Sequence, residues 1–304
     1  MINRVLIRLK VVQIVYAYYK NSGKSLKAAE DEVFFSLSKA YDLYNYLLLL
    51  IPGVTHYAAD RISFLSMKIR PTESDMNPNL KFVNNRFVAQ LENNAQLAKF
   101  AEKSKLNWVD NSDFLRRLLD AIESSEIYKE YMASGQSSYE EDKEIWRKLY
   151  KNFIFENEEL DSLLEEQSLY WNDDKSIVDT FVLKTIKRFA EDDDALLPEY
   201  KDTADMEFAR KLFRSAIVNA EEYRRMMGEN SKNWDMSRLA FMDVVVMQVA
   251  LAELTSFDDI PVSVTLNEYV EIAKYYSTVK SGSFVNGLLD TITKRMRQEG
   301  KISK

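Results

Sequence analysis

Residues 234–290 read WDMSRLAFMDVVVMQVALAELTSFDDIPVSVTLNEYVEIAKYYSTVKSGSFVNGLLD, and this stretch decides the fold. It predicts three helices separated by short punctuation. The first begins after Trp234, where Asp235 can cap it by accepting from the first free backbone N–H groups, and it runs to Thr255. Asp258-Asp259-Ile260-Pro261 is a rigid connector. The second starts near Ser263 or Thr265 and ends around Tyr276. Ser281-Gly282-Ser283 opens the last, in which Val285, Leu288, Leu289, Ile292 and Met296 fall on one apolar stripe. Upstream, a helix from Met206 to Met227 is expected to end near Gly228 through a left-handed cap.

Towards the amino terminus the helical spacing continues. Asn3 to Lys20 reads as a helix apolar around most of its circumference, with Arg4 and Arg8 four apart on one narrow face. After an Asn21-Ser22-Gly23 turn, Ser25 to Ile51 carries Val33, Phe34, Leu37, Tyr41, Tyr44 and Leu48 at helical positions. Pro52-Gly53 either breaks that helix or sits just inside the start of the next, which runs to about Lys68. Asp75 to Asn79, with Pro78, reads as a loop. From Asn84 to Ser168 the pattern is helical and polar-faced, and Asp173 to Phe189 is a further candidate helix. Asp192-Asp193-Asp194 reads as a solvated loop, with metal binding as the other reading. No repeat of fixed period occurs, and the expected fold class is all-α.

Composition agrees. In 304 residues there are only 7 glycines and 5 prolines, too few to punctuate a β-rich or doubly wound fold. There is no cysteine, so disulfides, thiolate metal sites and a cysteine nucleophile are excluded. Arg8 and Lys10 interrupt the apolar amino terminus, which therefore does not read as a secretory signal. The apolar run Leu47 to Ile51 is too short to span a bilayer. No membrane association is expected, and the expected location is cytoplasmic. Net charge is −7 but unevenly placed. Met1 to Ala29 holds Arg4, Arg8, Lys10, Lys20, Lys24 and Lys27 without an acid, and Lys294, Arg295, Arg297, Lys301 and Lys304 face Glu299 alone. Both ends are basic and the middle is acidic.

Catalytic constellations are missing. His56 is the only histidine, and no serine-nucleophile motif or metal-ligand spacing accompanies it, so a loop position or a satisfied partner is the favoured reading. No glycine-rich phosphate loop occurs. Glu140-Glu141 and Glu165-Glu166 are sequence neighbours that point apart on a helix and read as solubilising faces. The expectation is a protein that is not an enzyme and has no cofactor and no metal.

Several pieces of the 234–290 stretch carry a resemblance. They are Arg238-Leu239-Ala240, Ala250-Leu251 with Glu253-Leu254, Asp259-Ile260-Pro261, Asn267-Glu268, Ala273-Lys274, and Phe284-Val285-Asn286-Gly287 with Leu289-Asp290. In this order and spacing the stretch resembles the carboxy-terminal half of the NusB family of transcription antitermination factors. Phe208 to Met226 fits the preceding family helix, and Arg4, Arg8, Gln13 and Tyr16 fit the first one more weakly.

The resemblance implies a NusB-like helical bundle that binds the boxA element of nascent ribosomal RNA together with the small-subunit ribosomal protein NusE, within the RNA polymerase antitermination complex. Arg4, Arg8, Lys280 and Phe284 are the implied RNA-binding residues, and Tyr16 and Asp243 the implied partner-binding residues. Arginine forks can hold phosphate oxygens, and an exposed phenylalanine can stack an unpaired base. Other readings stand beside these. Phe284 and Tyr16 can be core, Asn286 and Gly287 packing and close-approach residues, and Asn267 and Glu268 organisers of helix contacts. Val5 and Leu6 stand where the family favours basic residues, and Gln248 where it favours arginine.

Residues 1–50 are expected to supply amino-terminal NusB-like helices, 51–204 a helical insertion the family does not require, and 205–304 the carboxy-terminal core. Two other functions compete. One is an interaction scaffold that has lost RNA binding. The other is the RNA-binding part of a ribosomal RNA methyltransferase system, which would need a catalytic domain and a cysteine.

Overall fold

The computed structural model describes residues 1–21, 23–135, 138–231, 240–278 and 280–302, and among these every named element is helical. In chain order they are α1 (Arg4–Lys20), α2 (Leu26–Ser66), α3 (Glu73–Met76), α4 (Arg86–Glu92), α5 (Ala95–Ser104), α6 (Ser112–Ser124), α7 (Glu126–Ala133) and α8 (Tyr139–Leu149). Then follow α9 (Glu158–Gln167), α10 (Lys175–Arg188), α11 (Thr203–Val218), α12 (Ala220–Asn230), α13 (Phe241–Ser256), α14 (Val262–Tyr276) and α15 (Ser281–Gln298). A π-helical turn, Tyr150–Ile154, follows α8. The all-α expectation holds. No helix among the described residues is long and apolar enough to cross a membrane.

The chain divides into two compact units, one of residues 38–199 with Met1, the other of residues 2–37 and 200–304. In the second unit α13 is the central helix, packed by α1, α11, α12, α14 and α15. All ten residues from Val245 to Leu254 are buried, as a helix apolar on every side requires. Its two polar members are satisfied internally. Gln248 Nε2 donates to the Ala216 carbonyl (2.7 Å) and to Tyr19 Oη (2.9 Å), and Glu253 is held as described below. α1 starts where Asn3 accepts from the Leu6 N–H at 3.0 Å, and it buries Leu6 to Val12 without a gap.

In the first unit, Tyr46 stacks on Trp108 with centroids 4.1 Å apart and planes 8° apart, and on Trp171 at 5.8 Å. Both indole N–H groups are paired, Trp108 to the Tyr46 carbonyl (2.9 Å) and Trp171 to that of Lys39 (2.8 Å). Buried Lys175 donates to Asp179 (2.8 Å) and the Ile154 carbonyl (2.9 Å), so its charge is compensated.

Several expectations change. Pro52 neither ends nor opens a helix, because α2 continues through it for 41 residues. Proline inside a helix costs about 3 kcal/mol; here Leu47, Leu48, Leu50, Ile51 and Val54 are all fully buried, and that packing outweighs the cost. The upstream helix does not run unbroken to Gly228. It breaks at Asn219, whose amide reaches Ser215 Oγ and Tyr223 Oη, both at 3.3 Å, and Gly228 lies inside α12. Thr72 and Asp75 form a capping box that folds α3, so the loop expected over Asp75 to Asn79 begins only at Asn77. The Asp235 cap lies outside the described residues. His56 sits on the exposed face of α2 with its Nε2 2.7 Å from Glu92 Oε1, a paired residue rather than a loop one.

Candidate nucleic-acid interface

The arginines of α1 are drawn together as their spacing requires, both over the ring of Phe208, with Arg4 at 4.9 Å and Arg8 at 5.5 Å from its centroid. Their surroundings differ. Arg8 is 3 % exposed, and its fork is engaged by Glu253 through Nε (2.8 Å) and Nη2 (2.9 Å). Glu253, fully buried, also accepts from Thr265 Oγ1 (2.8 Å) and Tyr269 Oη (3.1 Å), so each carboxylate oxygen has two donors. Burial alone would lower the arginine pKa, but the hydrogen bonds and charge of Glu253 more than restore it, to above its ordinary value. Arg8 therefore ties α1 to α13 and α14, and its fork does not point to solvent. Glu268 lies 3.9 Å from Arg8 Nη1, which makes it an organiser of the same contact.

Arg4 is more open, with 39 % of its side chain exposed, but it lies 3.9 Å from Asp205 and 3.7 Å from Asp259. Burial raises the Asp205 pKa, and the nearby Asp202 adds to the rise. Four carboxylates thus surround two guanidinium groups at this end of α13, which leaves no net positive field.

The other implied residues gather elsewhere. Asp243, buried in the first turn of α13, accepts at Oδ2 from Ser281 Oγ (2.9 Å), and Oδ1 has no hydrogen-bond partner among the described residues. Ser281 Oγ also accepts from the Thr278 N–H (3.0 Å), so Asp243 fixes the turn between α14 and α15. Lys280 is the residue before Ser281; it is exposed and carries no ion pair among the described residues. Ten residues of α13 separate Asp243 from Glu253, about 15 Å along the axis. The arginine pair and Lys280 accordingly belong to opposite ends of that helix.

Phe284 is 7 % exposed and packs with Val285, Leu288 and Leu289 as part of the core. Its ring is not open for stacking. Asn286 and Gly287, expected to pack, are instead exposed, and a Cβ at Gly287 would meet nothing within 4 Å. Gly282 is the close-approach glycine, since its Cβ would fall 2.6 Å from Lys274 Cγ. The outer face of α15 therefore starts with Lys280, Ser283, Asn286 and Gly287, all exposed. Sequence reading missed the last two because a family motif was taken for a packing motif. The helical phase of the buried stripe, read around the wheel, would have put them outside.

Tyr16 is half-buried against Phe241, with centroids 5.5 Å apart. Tyr19 meets the same ring edge-on at 6.1 Å, Lys20 lies 4.8 Å above it, and Arg224 lies 4.6 Å above Tyr19. These rings and two cations form a second polar-aromatic cluster.

The model of the NusB family matches residues 179–294, which include Asp243, Lys280 and Phe284 but not Arg4, Arg8 or Tyr16. The transcription antitermination protein NusB of Salinibacter ruber is 35% identical over 108 residues, covering 36% of this chain and 68% of that protein. The protein of the same name from Geotalea daltonii is 37% identical over 127 residues, 41% of this chain and 86% of the relative. That of Syntrophotalea carbinolica is 44% identical over 91 residues, 30% of this chain and 58% of the relative. A solved structure of T. maritima NusB is 35% identical over 37% of this chain and 72% of its own, with a TM-score of 0.30.

Proposed function

We propose, because the chain belongs to the NusB family, that it is a transcription antitermination factor that binds boxA-type nascent ribosomal RNA together with the ribosomal protein NusE. It acts by binding, inside the RNA polymerase antitermination complex, and catalyses nothing. The observation that carries the RNA reading is the outer face of α15. Lys280 is an unpaired cation beside a helix amino terminus, a setting that favours phosphate. Asn286 offers an amide to base edges or backbone, and Gly287 lets a strand approach the helix closely. Folding gives no reason for either residue, since both are exposed.

In this reading Lys280 touches RNA and Arg4 adds a weaker contact from the far end of α13. Arg8 and Phe284 act behind the surface, Arg8 by holding α1 and Phe284 by seating α15. Tyr16 meets the ribosomal protein, while Asp243, buried, supports that contact from behind the surface by fixing the turn between α14 and α15. Of the insertion expected over residues 51–204, the family match reaches into 179–204, and the remainder adds a surface the family does not need.

The scaffold reading draws on the carboxylates around Arg4 and Arg8. The test is binding of a boxA-containing leader RNA across a salt series, with and without NusE, for the natural chain and for Lys280→Glu. The expected result is boxA-dependent binding strengthened by NusE. Lys280→Glu should weaken it about tenfold and reduce the salt slope by about 0.7 for a single strand. A folded chain that binds no boxA RNA under either condition leaves the scaffold reading in its place.

A further inference from the structure

The first unit carries a cleft of about 670 Å³ that the RNA reading does not use. One wall is a single face of α2, with Leu49, Gly53, His56, Asp60 and Phe64 at steps of three or four residues. The other wall includes Leu97, Ala98 and Ala101 of α5, and Trp108 and Leu115 extend the apolar lining. Gly53 lets Trp108 approach closely, since a Cβ would lie 3.0 Å from Trp108 Cβ and press on the indole. The small side chains of Ala98 and Ala101 leave the trough open.

Shape and charge narrow the occupant. From Leu49 to Phe64 the α2 face runs about 22 Å at the rise of an α-helix. The lining residues follow that length, so the cleft is a trough along α2 rather than a round pocket. Phe64, 72 % exposed, and Val109, 77 % exposed, continue the apolar surface at the edges of the cleft. The rim is acidic. Asp60 and Glu92 line it, and the lining cation Arg61 is held by Asp120 (2.7 Å) and Glu123. Of the lining side chains, Asp60 and Glu92 stand against Arg61, whose charge Asp120 and Glu123 already meet, and His56 lies 2.7 Å from Glu92.

We propose that this cleft docks an amphipathic helix of a partner protein, whose apolar row enters the trough and whose lysines or arginines flank it towards Asp60 and Glu92. This is a helix-in-groove mode, with anchors at the same three-and-four spacing as the α2 wall. Complementary charge sets the orientation and excludes acidic helices. The docking is independent of the RNA face, so the two readings can fail separately.

The test uses the full chain and two dye-labelled helical peptides of about 18 residues, long enough to span the wall. Both carry leucine at the same helical positions, one with lysine and the other with glutamate elsewhere. Fluorescence anisotropy should show saturable binding of the leucine–lysine peptide, about tenfold or more tighter than the leucine–glutamate one. Ala98→Trp fills the trough from an exposed helix position without changing charge, and it should weaken binding about tenfold. Asp60→Lys with Glu92→Lys should abolish the preference for lysine. Three results overturn the proposal: neither peptide binds, both bind equally, or Ala98→Trp leaves the affinity unchanged. Binding of an octylammonium probe, lost in Ala98→Trp, with no binding of either peptide, also overturns it and assigns the cleft to a small cationic ligand.

Discussion

Replacing Arg8 by alanine should destabilise the protein far more than a surface arginine would, and the structure says by how much. The substitution removes two charge-assisted hydrogen bonds of 2.8 and 2.9 Å from a carboxylate with no exposed surface. Breaking a buried pair from one side costs about 3–5 kcal/mol, because the remaining charge has neither partner nor water. Thr265 and Tyr269 still donate to Glu253, which puts the expected loss at the lower end, about 3 kcal/mol. For a unit of about 140 residues that corresponds to a fall in Tm of about 10 °C. Urea unfolding followed by circular dichroism gives the total, and hydrogen exchange of the α13 amides localises it to the second unit. Arg8→Met combined with Glu253→Leu should recover only part of the loss, since the apolar pair needs no compensation but leaves the buried hydroxyls of Thr265 and Tyr269 without their acceptor. A loss below about 1 kcal/mol, the scale of an exposed ion pair, would refute the buried tie. Unchanged stability with lost boxA affinity would go further and make Arg8 a direct RNA ligand.

Other expectations are as specific. Glu30, almost fully buried, is held by Arg214 and by Arg210 at 3.4 Å, and the hydrogen bond from Arg214 is the main reason its pKa lies below the ordinary 4.5. A depressed carboxyl stabilises the fold above pH 4.5, and that contribution is lost as pH falls through the folded-state value. Glu30→Gln should therefore be less stable at neutral pH and lose less between there and about pH 3, read from urea midpoints. Gly53→Val should push Trp108 off the Tyr46 ring and cost about 1–3 kcal/mol as overpacking, with a shifted fluorotryptophan resonance for Trp108; an unmoved resonance counts against the close approach. Lys280→Glu should change the unfolding free energy by no more than about 0.5 kcal/mol, read from urea midpoints, while weakening RNA binding.

What could be read ahead of the structure depended on whether the deciding forces were local. The α14 and α15 boundaries and the α15 stripe follow from proline, serine and helical phase, all carried within a few residues. The continuation of α2 through Pro52 was not legible, because local chemistry argues for a break and only the buried leucines on either side overrule it. The break at Asn219 is a one-residue distortion, with the Asn219 N–H still donating to the Ser215 carbonyl and the Tyr223 N–H to that of Asn219, and the apolar pattern does not report it. At the interface, the four-residue spacing gave the shared face of Arg4 and Arg8 correctly. It could not give the fate of the Arg8 fork, because the deciding partner, Glu253, lies 245 residues away in sequence.

The unit built from residues 2–37 and 200–304 also has a consequence during protein synthesis. α1 leaves the ribosome before the intervening unit, yet the helices that cover it, α11 and α13, are encoded after that whole unit. At about 5–20 residues per second, the roughly 180 residues between Lys20 and Thr203 delay its partners by about 9–36 s. For that time a helix of 17 residues, nine of them destined for the interior, has no native surface to meet. The nascent chain is then a substrate for holding chaperones, and slowing translation beyond residue 38 should lower the yield of folded protein more than slowing it after α13 has emerged.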